Sequence, residues 1–289
     1  MMLGPLINPY LTWRRHHFPA SKADLEWRHN ETRYLLSNIS DKLVDIRSLL
    51  ITVPEQADVV LQQNNRRAPV KTNTLNVLMK RGIDVHTVID VGVLNGTPEL
   101  IQAYPHILHI LFEPVIEFQL DIENKYADIP HKLVPLAVSD RSGRTALEVV
   151  TVFSDHDITY SAMSDETPEK AKRSVAMVSL DDYLAKNPSC SPYFLKIDID
   201  GQEMKVLRGA EETLKQTSVV MIEVTVDNIV ERLSYLSEKG FKLFDLTESC
   251  YYDDSLWQCD AVLIRRDIHL KSFETISDSV DRYKWQIFA

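Results

Sequence analysis

The chain has 289 residues, of which 44% are hydrophobic and 26% charged, and its formal net charge is -10. Those proportions belong to an ordinary folded globular protein rather than to a chain disordered throughout. The acidic balance argues against a nucleic-acid backbone as partner, because phosphate binding needs a concentrated basic face and Arg14-Arg15 and Arg66-Arg67 are too short to make one.

At the N-terminus, Met1 to Trp13 is mildly apolar, but Pro5, Asn8 and Pro9 interrupt it and charge follows at Arg14, so it reads as neither a signal peptide nor a membrane span. No other run approaches spanning length. From Ser21 to Leu50 the sequence is helical in character, with Leu36, Ile39, Leu43, Ile46 and Leu50 spaced alternately three and four residues apart. That seam reads as an amphipathic helix packing on its own domain, and as a homodimer contact in the second reading. Pro54 and the polar stretch Gln62 to Arg67 mark a break before the main domain.

From Val85 onward apolar strands alternate with amphipathic helices, the pattern of a parallel sheet covered on both faces. Strands are expected near 87-91, 108-112, 132-138, 193-198, 219-224, 241-244 and 258-264, with helices near 97-104, 115-126, 180-186, 202-214 and 227-239. The first strand runs Val88-Ile89-Asp90-Val91 into Gly92-Val93-Leu94-Asn95-Gly96-Thr97, a tight turn at the strand's carboxyl end. Gly92 and Gly96 let the backbone turn sharply and lie against a ligand. Leu94 and Thr97 stand where a nicotinamide-binding loop would carry glycines, which argues against NAD. Asp90 is an acid suited to a cationic ligand, as S-adenosylmethionine is.

The second strand ends Phe112-Glu113-Pro114, and Glu113 is placed to accept both hydroxyls of a ribose. The third leads into Ala137-Val138-Ser139-Asp140, where Ser139 and nearby backbone meet an adenine ring or simply turn the chain. The polar segment Ser154 to Asp165 holds His156 between Asp155 and Asp157; it reads as a solvated loop or as a lid carrying a base. The fourth strand gives Leu195-Lys196-Ile197-Asp198-Ile199-Asp200-Gly201-Gln202-Glu203. Helix capping accounts for Asp200 and Glu203 but leaves Asp198 unexplained. The three cysteines, Cys190, Cys250 and Cys259, lack C-x-x-C spacing and leave an odd thiol after any pairing, so neither a zinc site nor a disulfide framework is indicated and the chain reads as cytoplasmic.

Taken in order, Ile89-Asp90-Val91-Gly92 with Asn95-Gly96, Phe112-Glu113-Pro114, Ala137-Val138-Ser139-Asp140, Ser179-Leu180-Asp181-Asp182-Tyr183-Leu184, Leu195 to Gly201, Val206 to Ala210 and Ile222-Glu223-Val224 resemble the FkbM family of S-adenosylmethionine-dependent methyltransferases. The resemblance runs from Val88 to about Arg265. It departs from the family at Val93, where alanine is usual, and at Asp200, where glutamate is.

The resemblance implies a class I methyltransferase sheet, seven-stranded and mostly parallel with helices on both faces and a final antiparallel strand. Residues 1-84 would then be an N-terminal helical extension, 85-266 the S-adenosylmethionine-binding domain, and 267-289 a tail packing on it. It also implies methyl transfer to a hydroxyl of a sugar, glycan or natural product, leaving S-adenosylhomocysteine. By position Asp90, Gly92, Asn95, Gly96 and Glu113 match its cofactor contacts, and Ser139 joins them from the residue reading. An oxygen acceptor needs a base, for which Asp198 is first candidate, Glu223 second and His156 third. No metal site is indicated. An inactive scaffold that keeps the fold, and a protein methyltransferase, are the alternatives.

Overall fold

The computed structural model describes residues 66–150, 160–164 and 173–278, with positions 32, 284 and 286–288. The chain divides into two compact units. In the smaller one the described structure is a parallel pair, Arg66–Arg67 with Ile287–Phe288. Apart from position 32, which is helical, the helix expected over 21–50 lies outside the described residues, and so does its dimer contact.

The larger unit runs from Pro69 to Thr151 and from Ile158 to Val280. Its elements begin α1 (Lys71–Lys80), β1 (Thr87–Val91), α2 (Pro98–Ala103), β2 (Leu108–Phe112), a 3-10 turn at Ile116–Phe118, α3 (Gln119–Lys125) and β3 (His131–Val134). Then come β4 (Ala137–Val138), β5 (Gly143–Val150), β6 (Tyr160–Ser164), β7 (Ser174–Val178), α4 (Leu180–Lys186), β8 (Tyr193–Ile197), α5 (Glu203–Arg208) and α6 (Glu211–Lys215). The unit closes with β9 (Thr217–Thr225), α7 (Ile229–Glu238), β10 (Phe241–Tyr252), β11 (Ser255–Arg265) and α8 (Arg266–Ser272).

Seven strands form one sheet in the order β10-β11-β9-β8-β1-β2-β3, parallel except for β11, which runs against both of its neighbours. Central strands β1 and β8 are buried at every residue, as strands covered on both faces must be, and this explains why they are apolar apart from Thr87, Asp90 and Lys196. Alternation splits the core in two. Val88, Phe194, Met221, Val262 and Ile264 meet Leu75 and Leu78 of α1 and Leu100 of α2. Ile89, Val91, Leu195, Ile197, Val220, Ile222 and Ala261 meet Leu180, Val206, Leu214 and Leu236 from α4 to α7. Helix α1, which lies before the expected domain start at 85, is thus part of this core.

Three expectations need correction. The strand expected over 132-138 stops at Val134, because Pro135 has no N–H to continue the ladder, and Leu136 turns back to donate to the Val134 carbonyl at 2.8 Å. Ala137–Val138 instead join a second sheet, β4-β7-β5-β6. Tyr160–Ser164, expected in a polar loop, pair antiparallel with Ala146–Val150 as part of that sheet. The helix expected over 202-214 is two, broken at Gly209, where a Cβ would stand 2.2 Å from the Ser139 carbonyl oxygen.

Candidate functional site at the carboxyl edge

The sheet registers bring six residues to one level at its carboxyl edge. Thr247 pairs with Asp260 and Asp260 with Glu223. Ile222 pairs with Ile197, Ile197 with Val91 and Val91 with Phe112, so the next residues, Asp198, Gly92 and Glu113, continue the row. Bonds from Asp198 N–H to the Val91 carbonyl at 3.0 Å and from Gly92 N–H to the Phe112 carbonyl at 3.1 Å extend the ladders to that level. Four of the six are acids.

At the row's centre the chain leaves β1 through Gly92, whose φ is +83°. A Cβ there would stand 1.8 Å from the Asp198 carbonyl oxygen, so only glycine lets the loop cross the end of β8. Leu94 is also left-handed, with φ 54°. Its N–H donates to Glu113 Oε2 at 2.9 Å, and Val115 N–H donates to Oε1 at 2.8 Å, so the Glu113 carboxyl staples the glycine loop to the end of β2. Farther along, Lys125 Nζ donates to Asn95 Oδ1 at 3.0 Å, and Thr97 N–H to the Tyr126 hydroxyl at 3.3 Å.

Asp90 points down from this edge into the core and is fully buried. Its carboxylate takes the Thr97 hydroxyl at 2.7 Å and faces Lys196 Nζ at 3.1 Å. Lys196 also donates to the Gly92 carbonyl at 2.8 Å and lies 3.5 Å from Asp198. Burial opposes the Lys196 charge most strongly, but Asp90 and Asp198 outweigh it and hold the ammonium well above its usual range. A cationic ligand therefore finds Asp90 already neutralised.

A cleft of about 210 Å³ opens over the row. Gly92, Leu94 and Glu113 form one side, Phe112, Leu136, Val138 and Leu147 supply apolar wall, and Asp198 and Asp200 close the other end. Burial pushes the Glu113 carboxyl up to about 7, against the pull of its two backbone donors. Asp200 reaches solvent, yet its packed surroundings and the charges of Asp198 and Glu203 hold it up at about 7. It is no cap: Gln202 precedes α5, and Glu203 accepts from Gly201 N–H at 2.8 Å while its other oxygen pairs with Arg232.

Of the residues expected from the sequence, Gly92, Glu113 and Asp198 line the cleft. Asp90 lies beneath it, Asn95 and Gly96 lie on the far side of the loop against Lys125, and Ser139 is buried against Gly209. Glu223 stands beside Asp198 in the row, half-buried, accepting from Gln258 Nε2 at 2.9 Å. His156 lies outside the described residues. Lys196 escaped notice, although a lysine inside an otherwise apolar strand was its signal. Lys71 and Asp260 gave none. Among the described residues no group of three or more His, Cys, Asp or Glu is arranged to hold a metal ion, and no helix is long and apolar enough to cross a membrane.

A seven-stranded sheet in this order, with one reversed strand and a glycine loop leaving the central strand, defines a class I methyltransferase. The model of the Methyltransferase FkbM domain matches residues 90–243, and the chain belongs to that family. No curated protein matches the sequence. Among solved structures, the chain is similar to the methyltransferase FkbM of Methylobacillus flagellatus, at 13% identity and a TM-score of 0.41 over 70% of this chain. It spans 49% of that protein's length. It is similar also to an rRNA methylase of Streptococcus thermophilus, at 12% identity and TM-score 0.38 over 67% of this chain and 94% of that one. A third is the magnesium protoporphyrin IX methyltransferase of Synechocystis, solved with S-adenosylmethionine bound, at 7% identity and TM-score 0.38 over 74% of this chain and 85% of that one.

Proposed function

We propose that the chain transfers a methyl group from S-adenosylmethionine to a hydroxyl oxygen of a small-molecule or glycan acceptor, with the cofactor in the cleft between Leu94 and Asp198. The observation that carries this reading is the meeting of three unlike surfaces in one cleft: the Glu113 carboxyl, the apolar wall of Phe112, Leu136, Val138 and Leu147, and the acids Asp198 and Asp200. Each suits one part of the cofactor. Glu113 uses one N–H bond per oxygen and keeps lone pairs for ribose hydroxyls, the apolar wall suits a flat heterocycle, and the acids suit a cationic amino-acid end. Asp90 does not touch the ligand in this reading; with Lys196 it fixes the loop that does.

S-adenosylmethionine supplies an electrophilic methyl carbon on a sulfonium. The chain aligns the acceptor oxygen with that carbon and keeps water out. Removal of the hydroxyl proton falls to Asp198, whose side chain is 33% exposed at the cleft and held 3.5 Å from the Lys196 ammonium. Glu223 has the opposite character: burial, and after it Asp198, Asp200, Glu203 and Asp260, push its carboxyl up to about 9, so at neutral pH it carries a proton. A labelled-methyl transfer screen over glycans and small hydroxylated acceptors tests the reading. Incorporation that falls in Asp198→Asn while cofactor binding persists supports it; an Asp198→Asn variant with full turnover removes Asp198 from the role.

A further inference from the structure

Asp198, Glu223 and Asp260 occupy neighbouring strands at one level and on one face, where opposite Cβ atoms lie about 5 Å apart. Three carboxylates in such a row cannot all be ionised unless cations stand among them. Lys196 serves Asp198 from below. Asp260, 7% exposed, is served from above by Lys71, the first residue of α1, with Nζ 2.9 Å from Oδ2. Between them Glu223 makes no ion pair among the described residues. Among the described residues its carboxyl accepts only from the neutral Gln258 side chain, and Arg232 of α7 bonds its backbone carbonyl but spends its charge on Glu203.

Lys71 is fixed in place by more than its ion pair. Its N–H donates to Glu248 Oε1 at 3.0 Å, Glu248 N–H returns to the Pro69 carbonyl at 2.9 Å, and Thr74 Oγ1 donates to Asp245 Oδ2 at 2.5 Å. These bonds clamp the start of α1 to β10, while Leu75 and Leu78 bury the helix on the face that carries the acid row. Neither Lys71 nor Asp260 falls within the family-matched residues 90–243.

We propose that Lys71 is a positioning residue of the transfer site: tied to Asp260, it confines the proton of the carboxyl row to Glu223 and leaves the Asp198 carboxylate free to take the acceptor's proton. The proposal rests on the reading of Asp198 as proton acceptor. Glu223 is faced by Asp198 on β8, Asp200 and Glu203 beyond it, Asp260, Gln258 and the Cys259 thiol on β11, Cys250 on β10 and Arg232 on α7. Asp260 is faced by Glu223 across the ladder; burial, and then Asp198, push its carboxyl up, against the pull of Lys71 and Lys196. Burial works against charge on Lys71, but Asp260 and then Asp198 outweigh it and raise the ammonium to about 12, so it stays charged wherever the acids titrate.

The test is a carbon-13 NMR titration of the side-chain carboxyls in the full chain labelled at Asp and Glu, with Glu223→Gln and Asp260→Asn used to assign the Glu223 and Asp260 signals. Lys71→Met is expected to pass the proton to Asp260, so that the Glu223 midpoint falls by about one pH unit while that of Asp260 rises, and Lys71→Arg to restore both. Asp260→Asn, which removes a repelling carboxylate and frees Lys71, is expected to lower the Glu223 midpoint by a similar amount. Midpoints unmoved in Lys71→Met overturn the proposal, and if that variant does not fold, an unmoved Glu223 in Asp260→Asn overturns it. The titration needs neither cofactor nor acceptor, so its failure is distinct from a failure of the chain to bind S-adenosylmethionine.

Discussion

The two halves of the sheet's carboxyl edge treat their acids in opposite ways. On the β1–β2 side there is one carboxyl at the edge, Glu113, and backbone N–H groups of Leu94 and Val115 hold it. On the β8–β11 side there are three: lysines hold Asp198 and Asp260, and burial among like charges holds a proton on Glu223. Backbone donors fix position without fixing charge, which suits a group that holds a neutral diol. Side-chain cations fix charge as well, which suits a group that exchanges a proton. In the proposed reading, one strand-end row combines binding and chemistry by changing only what faces each carboxyl.

The largest expected effect comes from Lys196, the cation beneath both halves. Lys196→Met leaves Asp90 fully buried without its partner, and a loss of about 3–5 kcal/mol in stability is expected by denaturant unfolding. Retained stability would mean that the Asp90–Lys196 pair does not underpin the edge. Next comes Gly92→Ala, whose added methyl meets backbone 1.8 Å away at positive φ. It should cost on the order of 3 kcal/mol and abolish cofactor binding, the first read by unfolding and the second by calorimetry.

Glu113→Gln separates the halves more gently. Cofactor affinity should fall about tenfold, the worth of one charge-assisted hydrogen bond, while the carboxyl titrations of the β8–β11 side stay unchanged. Because the Glu113 carboxyl ionises at about 7, affinity in the unaltered chain should rise between pH 6 and pH 8 and be flat in the variant. At Glu223 the expected effect is set by pH, small near pH 5 and growing as pH rises. The folded-state value of this carboxyl, about 9, lies above the ordinary 4.5, so folding favours the neutral form and stability declines as pH rises between those two values. Glu223→Gln imitates the neutral form and should gain stability relative to the unaltered chain as pH rises from 5 to 9. A gain that does not grow with pH would take the shared proton away from Glu223.

Much of this edge was legible in the sequence, for physical reasons that differ by residue. Strands β1, β2 and β8 announce themselves because burial on both faces demands mainly apolar runs, and the loop at Gly92 because the turn tolerates no Cβ. The second sheet did not, since Tyr160-Ser161-Ala162-Met163-Ser164 has no period-two alternation and is set by pairing to β5 rather than by its own pattern. Helix α1 falls inside the helical extension expected over 1-84 but was not singled out, because Lys71–Lys80 carries few apolar residues and relies on Leu75 and Leu78 finding a preformed face. Asp90 read as a ligand group because its partner, Lys196, comes from a distant strand that only the register sets beside it. A carboxylate's role depends on what faces it, and that is the property least visible in sequence order.

The central claim is that the cleft between Leu94 and Asp198 holds S-adenosylmethionine, and isothermal titration calorimetry of the unaltered chain with that cofactor tests it most directly. The expected result is saturable binding of one molecule per chain, weakened in Glu113→Gln and lost in Gly92→Ala. The absence of any binding heat from the folded, unaltered chain, confirmed by equilibrium dialysis, would contradict it.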